Sequence, residues 1–85
     1  MNDYVFKKFF NEIVKIENER HVHNPRHAVE CARIQVDITN SLELAIFDFE
    51  INKGNVDIVK KLTFPNTITY KLTEQGREAL SIFIL

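Results

Sequence analysis

Apolar residues between positions 4 and 19 recur every three or four places, which is the spacing of one face of an α-helix. Charged and polar residues fill the positions between them. Asn2 or Asp3 can accept hydrogen bonds from the first free amides of such a helix. The pattern therefore predicts an amphipathic first helix. Its apolar positions are Val5, Phe6, Phe9, Phe10, Ile13, Val14 and Ile16.

A second helix is predicted from Pro25 to about Val36, after a polar connector at residues 20–24. Asn24 is typical of a helix cap, and Pro25 suits the first helical position because its φ angle is already close to helical. We expect the apolar face of this helix to be narrow and to approach another helix closely. That face consists of Ala28, Val29, Ala32 and Val36.

Residues 41–55 fit two secondary structures, of which the first is a helix. It would begin at Asn40, with Glu43 completing a capping box, and it would end at Gly54. Its apolar residues recur at i, i+3, i+4 and i+7, so they would form one inward face. They are Leu42, Ala45, Ile46 and Phe49.

The second possibility for this segment is a hairpin. Residues 47–51 alternate between apolar and charged, and a turn at Lys53 and Gly54 would lead back through residues 56–58. The capping residues favour the helix, which we adopt, and the hairpin stays open as the alternative.

The rest of the chain predicts two antiparallel strands, residues 57–64 and 67–73, joined by a turn at Pro65-Asn66. A last helix follows over residues 74–84, with Thr73 as its cap. Its inward residues would be Ala79, Leu80 and Phe83, with Ile84 at the edge. The order helix, helix, helix, strand, turn, strand, helix predicts an α+β fold.

Length and composition place these elements in one domain, residues 1–85. A chain this short buries only roughly 60–65% of its unfolded surface, which favours a domain that covers further surface by dimerising. The longest apolar run has four residues, so we expect no membrane span. The first residues lack the apolar stretch of a signal peptide. The single cysteine excludes an internal disulfide, and we expect a reducing cytoplasm, including that of a phage-infected cell.

Charge is unevenly distributed along the chain, although the formal net charge is only −1. Residues 20–33 carry a net charge of +2, residues 34–57 carry −4, and residues 58–85 carry +2. The net charge of the whole protein therefore does not attract nucleic acid. Its basic residues could still form one surface if the second helix and the strands lie side by side.

A phrase near the end of the chain gives the one family resemblance. Tyr70, Leu72, Thr73, Gly76, Arg77 and Leu80 spell Y-x-L-T-x-x-G-R-x-x-L. From about Phe49 to Leu80, roughly a third of the chain, the sequence resembles winged-helix regulators of the MarR, PadR and HxlR type. In those families this phrase opens the last helix, and two strands before it flank a wing.

The resemblance implies a winged-helix-like domain with three helices, a two- or three-stranded antiparallel sheet and a C-terminal helix. It also implies a homodimer built by the first and last helices, and phosphate contacts from the wing. With the second helix added, the predicted nucleic-acid-binding residues are Arg26, Arg33, Lys60, Lys61, Lys71 and Arg77.

Three features depart from that family pattern. The wing is very short, and no segment is predicted to form the strand that usually precedes the helix-turn-helix. The segment in the recognition-helix position, residues 42–52, carries Glu43, Asp48 and Glu50 and no basic residue. Because a major-groove helix lies between phosphates, three carboxylates there would be repelled.

Other chemistry has little support in the sequence. His21, His23, His27 and Cys31 could offer four zinc ligands, but their spacing matches no standard zinc motif. Cys31 also lies beside the small apolar face of the second helix, where a buried cysteine is common. No nucleophile motif, phosphate loop or dinucleotide fingerprint is present. We expect no enzyme activity and no cofactor.

Two functions remain. The first is a DNA-binding transcriptional regulator that holds phosphates through its wing and second helix. The alternative is a non-enzymatic adaptor or inhibitor, encoded by a phage or plasmid, that binds a partner protein through an apolar or acidic surface. The first predicts a continuous basic face, and the second predicts an exposed apolar or acidic patch.

Overall fold

A computed structural model describes residues 1–20 and 25–84. Within them the fold is α+β, as predicted, with four helices and one three-stranded antiparallel sheet. The elements are α1 (Asp3–Arg20), α2 (Pro25–Cys31), β1 (Ile34–Asp37), α3 (Ser41–Asn52), β2 (Val56–Thr63), β3 (Asn66–Leu72) and the C-terminal α4 (Glu74–Ile84).

The prediction of a second helix reaching Val36 was wrong, because α2 ends at Cys31 and a strand follows. Ile34 and Val36 are buried while the residues after each of them are exposed, which is the alternation of a strand with one face on the core. The Arg33 guanidinium donates to the carbonyl oxygens of Glu30 and Ala32, at 2.8 and 2.9 Å. These bonds satisfy carbonyls at the end of α2 and help the helix to stop there.

The sheet has the strand order β1-β3-β2. The strand β1, which the sequence pattern did not predict, lies after α2 and before α3. One helix, α3, connects β1 to β2 in this part of the chain. The hairpin of β2 and β3 turns at Phe64 and Pro65, where the peptide bond is cis.

The helical prediction for residues 41–52 is confirmed, but its inward face was wrong. The Asn40 side chain accepts from the amide of Glu43 at 3.2 Å, and Gly54 follows the helix with φ +83°. Phe47 is the apolar residue that α3 buries. Its ring stacks on Tyr70 with centroids 4.6 Å apart, whereas Leu42, Ala45 and Phe49 of the predicted inward stripe are exposed.

The core lies between α1, α3 and the inner face of the sheet. Val5, Phe9, Ile13 and Ile16 of α1 are buried as predicted. Phe9 and Phe47 approach to 6.3 Å between centroids, which links α1 to α3 through an aromatic contact.

The outer side of α1 carries apolar residues that are not buried in the core. Phe10 and Val14 are 37% and 38% exposed. Phe6 is half-buried, and its ring stacks on that of Phe10 with centroids 6.0 Å apart. The helix therefore has a buried apolar stripe and a second one that faces outward.

The residues of the family-like phrase have structural roles at the start of α4. The Thr73 hydroxyl accepts from the amide of Gly76 at 3.1 Å, which confirms Thr73 as the cap. A Cβ atom added to Gly76 would collide with the carbonyl oxygen of Asn55, so a glycine is required at this approach. Tyr70, Leu72 and Leu80 are all buried in the core.

Candidate interaction surfaces

The outward side of α3 carries a contiguous apolar surface. We call Leu42, Ala45, Ile46 and Phe49 the α3 outer stripe. Leu42 is 73% exposed and Phe49 is 55% exposed, although both are large apolar side chains. Ala45 is exposed between them, and Ile46 is half-buried at the edge, where it packs against the core. The Lys53 ammonium lies over the Phe49 ring, 4.6 Å from its centroid.

Carboxylates are the charged groups of this helix. Asp48 is exposed beside the stripe, and Glu43 is half-buried at its first turn. No basic residue lies within residues 41–52. The solvent side of α3 is therefore apolar and acidic.

Glu43 is tied to α1 by a hydrogen bond. The Tyr4 hydroxyl donates to its carboxylate. This bond, with some burial and the negative charge of Glu43, raises the pKa of Tyr4 to about 12. The phenol consequently stays neutral at physiological pH and keeps donating, so the first turn of α3 is fixed against α1.

Glu50 was expected to be a surface carboxylate, and the structure buries it completely. It accepts from the backbone amide of Asn2 at 2.9 Å and from the side-chain amide of Asn55 at 2.7 Å. The Asn55 oxygen in turn accepts from the Gln75 side chain at 2.9 Å. A buried carboxylate is tolerated only when it is hydrogen-bonded, and this network supplies the donors. It joins α1, α3 and α4.

This network had no signal in the sequence. Gln75 is far from Glu50 along the chain, and Asn55 lies in a loop. The spacing of the three residues follows no capping or helical pattern. The one available clue was that Glu50 follows the outward-facing Phe49. Using that clue required knowing which side of α3 faces the core.

Tyr70 presents a buried hydroxyl under α3. Within the described part of the chain the hydroxyl has no hydrogen-bond partner. Burial raises the pKa of Tyr70, and the negative charges of Asp48 and Glu43 raise it further. The phenol is thus held neutral beneath the acidic helix.

The six predicted nucleic-acid-binding residues do not form one surface. Arg33 and Lys60 line the same open groove on the sheet, and Lys71 is half-buried on the neighbouring strand. Lys61 follows Lys60 in β2 and therefore points to the opposite face. Arg26 and Arg77 lie on α2 and α4 and do not line that groove.

The structure describes two of the four candidate metal ligands, His27 and Cys31. His21 and His23 lie outside the described residues. The Cys31 sulfur is 3.7 Å from Nε2 of His27, which is a weak sulfur contact between neighbours on one helix face. Among the residues that the structure describes, no group of three or more His, Cys, Asp or Glu side chains could hold a metal ion.

No helix within residues 1–20 and 25–84 is long and apolar enough to cross a membrane. Comparison of the chain with models of protein families, with curated proteins and with solved structures gives no match. Function is therefore inferred from the geometry of the described residues.

Proposed function

We propose that this chain is a non-enzymatic protein-interaction module that inserts α3 into an apolar groove of a partner protein. The observation that carries the proposal is the α3 outer stripe. Its residues occur at i, i+3, i+4 and i+7, which is the anchor spacing of helices that bind in grooves. Leu42 and Phe49, its largest members, are exposed on this helix.

The energetics favour a partner for this surface. Burying a Leu or Phe side chain contributes about 1.5–3 kcal/mol, and the fold leaves most of that contribution unused at Leu42 and Phe49. Scattered exposed apolar residues are ordinary, but a contiguous patch on a helix indicates an interaction site. The helix is also held rigidly through Phe47, Glu43 and Glu50, so little order would be lost on binding.

Charge indicates the chemistry of the groove. Asp48 and Glu43 flank the outer stripe, and residues 34–57 as a whole carry a net charge of −4. A partner groove with Lys or Arg at its rim would complement them, which improves association rate and specificity. The partner is therefore an apolar groove with a basic rim.

The test uses a photo-crosslinking residue at Ala45, compared with the same residue at Asn11 on the polar side of α1. We expect one protein other than this chain to be captured from position 45 and not from position 11, where a second copy is the expected neighbour. Capture should be lost when untagged wild-type chain competes, and it should persist with the Leu42→Ser/Phe49→Ser double variant as competitor. The proposal would be contradicted if both competitors abolished capture equally. It would also be contradicted if capture from position 45 did not exceed capture from position 11.

Phe64 supplies a matched control for that competition. It is 95% exposed at the tip of the β2–β3 hairpin, so it is more exposed than Phe49. A Phe64→Ser competitor should act like the wild-type chain. If only this variant failed to compete, the hairpin tip and not α3 would hold the partner.

We also propose that two copies associate through the outer side of α1. In an antiparallel pairing, Phe10 would meet Val14 of a second copy, and the same register places Lys7 opposite Glu17. Two apolar pairs and two opposite-charge pairs would therefore form at once. Sedimentation should show a dimer that Phe10→Glu converts to monomer, whereas Asn11→Glu leaves it unchanged. A monomer at all concentrations would remove this part of the proposal.

DNA readout through α3 is not part of this function. A helix-turn-helix uses two consecutive helices, and α3 alone connects β1 to β2. Residues 41–52 carry no cation to contact phosphates, and the nearest one, Lys53, lies over the Phe49 ring. The half-buried Cys31 thiol suits a reducing compartment, and we propose the cytoplasm.

A further inference from the structure

The outer face of the sheet carries a second polar surface, on the side away from the core. Successive side chains of a strand point to opposite faces, so residues next to the buried Ile34 and Val36 lie on this outer face. Gln35 is the exposed residue between those two. Thr69 of β3 pairs with Gln35 on one side and with Lys60 of β2 on the other. These three residues form one row across the sheet.

A β-bulge at Val59 puts Lys60 in that row. Ile58 pairs with Tyr70, and the next pair joins Lys60, not Val59, to Thr69. If the strand had no bulge, Val59 would pair with Thr69, and Lys60 would point to the opposite face of the sheet. The irregularity in the strand therefore decides that Lys60, and not Lys61, lies on the outer face, beside Thr69.

Arg33 supplies a second cation at the other side of the row. Its Nη1 atom is fixed by the carbonyl oxygens of Glu30 and Ala32, while Nε and Nη2 carry three further N–H donors. The groove between the two cations is open. It is lined by Arg33, Gln35, Val59, Lys60 and Thr69.

The charges on this face favour an extended anion. Arg33 and Lys60 lie on the two outer strands or next to them, about two strand spacings or roughly 10 Å apart, so they suit two separate phosphates. Lys71 is on the same face, two residues from Thr69. The carboxylates on this face are Asp57, which pairs with Lys71, and Asp37 at the end of β1.

The lining also indicates what is not recognised. Its donors are charged groups, a hydroxyl and an amide, all of which can bind phosphate and sugar oxygens. None of the five lining residues is aromatic, so the groove offers no platform for base stacking.

We propose that this groove binds the sugar–phosphate backbone of a nucleic acid, without sequence preference. It is a separate surface from the α3 outer stripe. A chain with both surfaces would bring a partner protein to a nucleic acid, and either surface can fail without the other.

The test is titration of fluorescently labelled dT20 and of a 20-bp duplex by fluorescence anisotropy at several NaCl concentrations. With about three cations engaged, the slope of log K against log salt should be near −2 for the single strand. The Arg33→Gln/Lys60→Gln variant should lower affinity about tenfold or more and reduce that slope by about 1–2. The control Lys8→Gln/Lys15→Gln, with the same loss of charge on α1, should leave both within about twofold.

A charge-conserving variant tests the role of the bulge. In Val59→Lys/Lys60→Val the net charge is unchanged, but the cation moves one position along β2. We expect affinity to fall by less than in Arg33→Gln/Lys60→Gln, because Arg33 is kept and Val59 lines the same groove. Circular dichroism of each variant confirms that the sheet is intact.

Three results would overturn the proposal. The first is no binding of either oligonucleotide at low salt, and the second is binding that the groove and control variants weaken equally. The third is full competition by inorganic tripolyphosphate at the concentration where the oligonucleotide competes, since that would show a small-anion site only.

Discussion

The start of α4 and the outer stripe of α3 are two helical surfaces of one small domain, and they differ in what their side chains contact. At the start of α4, Thr73 caps the helix, Gly76 touches the backbone of Asn55, and Leu80 is buried. On the outer stripe Leu42 and Phe49 stand mainly in solvent. The first surface stabilises the fold, and the second is available to a partner.

The sharpest way to test this difference is to compare two phenylalanines of the same helix. Phe47→Ala removes a fully buried ring that contacts Phe9 and Tyr70, and it should cost about 3–5 kcal/mol in the free energy of unfolding. Phe49→Ala, two residues further, should cost at most about 0.5–1 kcal/mol, mainly from its contact with Lys53. Urea denaturation of both variants provides the measurement, and equal losses would refute the orientation of α3.

A second test concerns the close approach at α4. Gly76→Ala should destabilise the domain by about 1–3 kcal/mol or more, because the added methyl group would meet the backbone oxygen of Asn55 and not a movable side chain. Glu78→Ala is the control, since Glu78 is exposed on the same helix. Thermal unfolding should show a lower Tm for the Gly76 variant alone; an unchanged Tm would mean that α4 does not lie against Asn55.

The third test concerns the buried network around Glu50, where the expected loss of stability is comparable to that at Gly76 or smaller. Asn55→Ala removes one donor to the buried Glu50 carboxylate and the acceptor of the Gln75 side chain, which should cost about 1–3 kcal/mol. Asn52→Ala, at an exposed position of α3, should cost far less. If the two asparagine variants unfolded at the same urea concentration, Glu50 would have to be exposed to water.

A smaller effect should appear at high pH. The pKa of Tyr4 is about 12 in the folded protein, above its ordinary value of 10.0, so the neutral phenol is the form that the fold stabilises. Its contribution is therefore complete below pH 10 and is lost as the pH rises toward 12. The stability difference between wild type and Tyr4→Phe should shrink over that window. A difference independent of pH would mean that the Tyr4–Glu43 bond does not form in solution.

Much of the architecture could be predicted from local patterns. The spacing in α1, the caps of α3 and α4, and the alternation of β2 and β3 each reflect short-range physics. The strand β1 could not be separated from α2 because Val36 continues the helical spacing of Ala28 and Ala32. Only the burial of Ile34 and Val36 against the core distinguishes the two.

The candidate surfaces depend on tertiary structure to a greater degree. The same four residues of α3 form an apolar stripe whether they face the core or solvent, and the stacking of Phe47 on Tyr70 decides between the two. The pairing of Arg33 with Lys60 in one groove likewise depends on the strand order and on the bulge at Val59. Neither feature has a signal in residue spacing.

The central claim is that the fold does not use Leu42 and Phe49 of the α3 outer stripe. The most direct measurement is the free energy of unfolding of Leu42→Ser/Phe49→Ser in urea, compared with wild type. The predicted loss is at most about 1 kcal/mol per site, with an unchanged circular dichroism spectrum. A loss of more than about 4 kcal/mol for the pair, the size expected for two core residues, would contradict the claim.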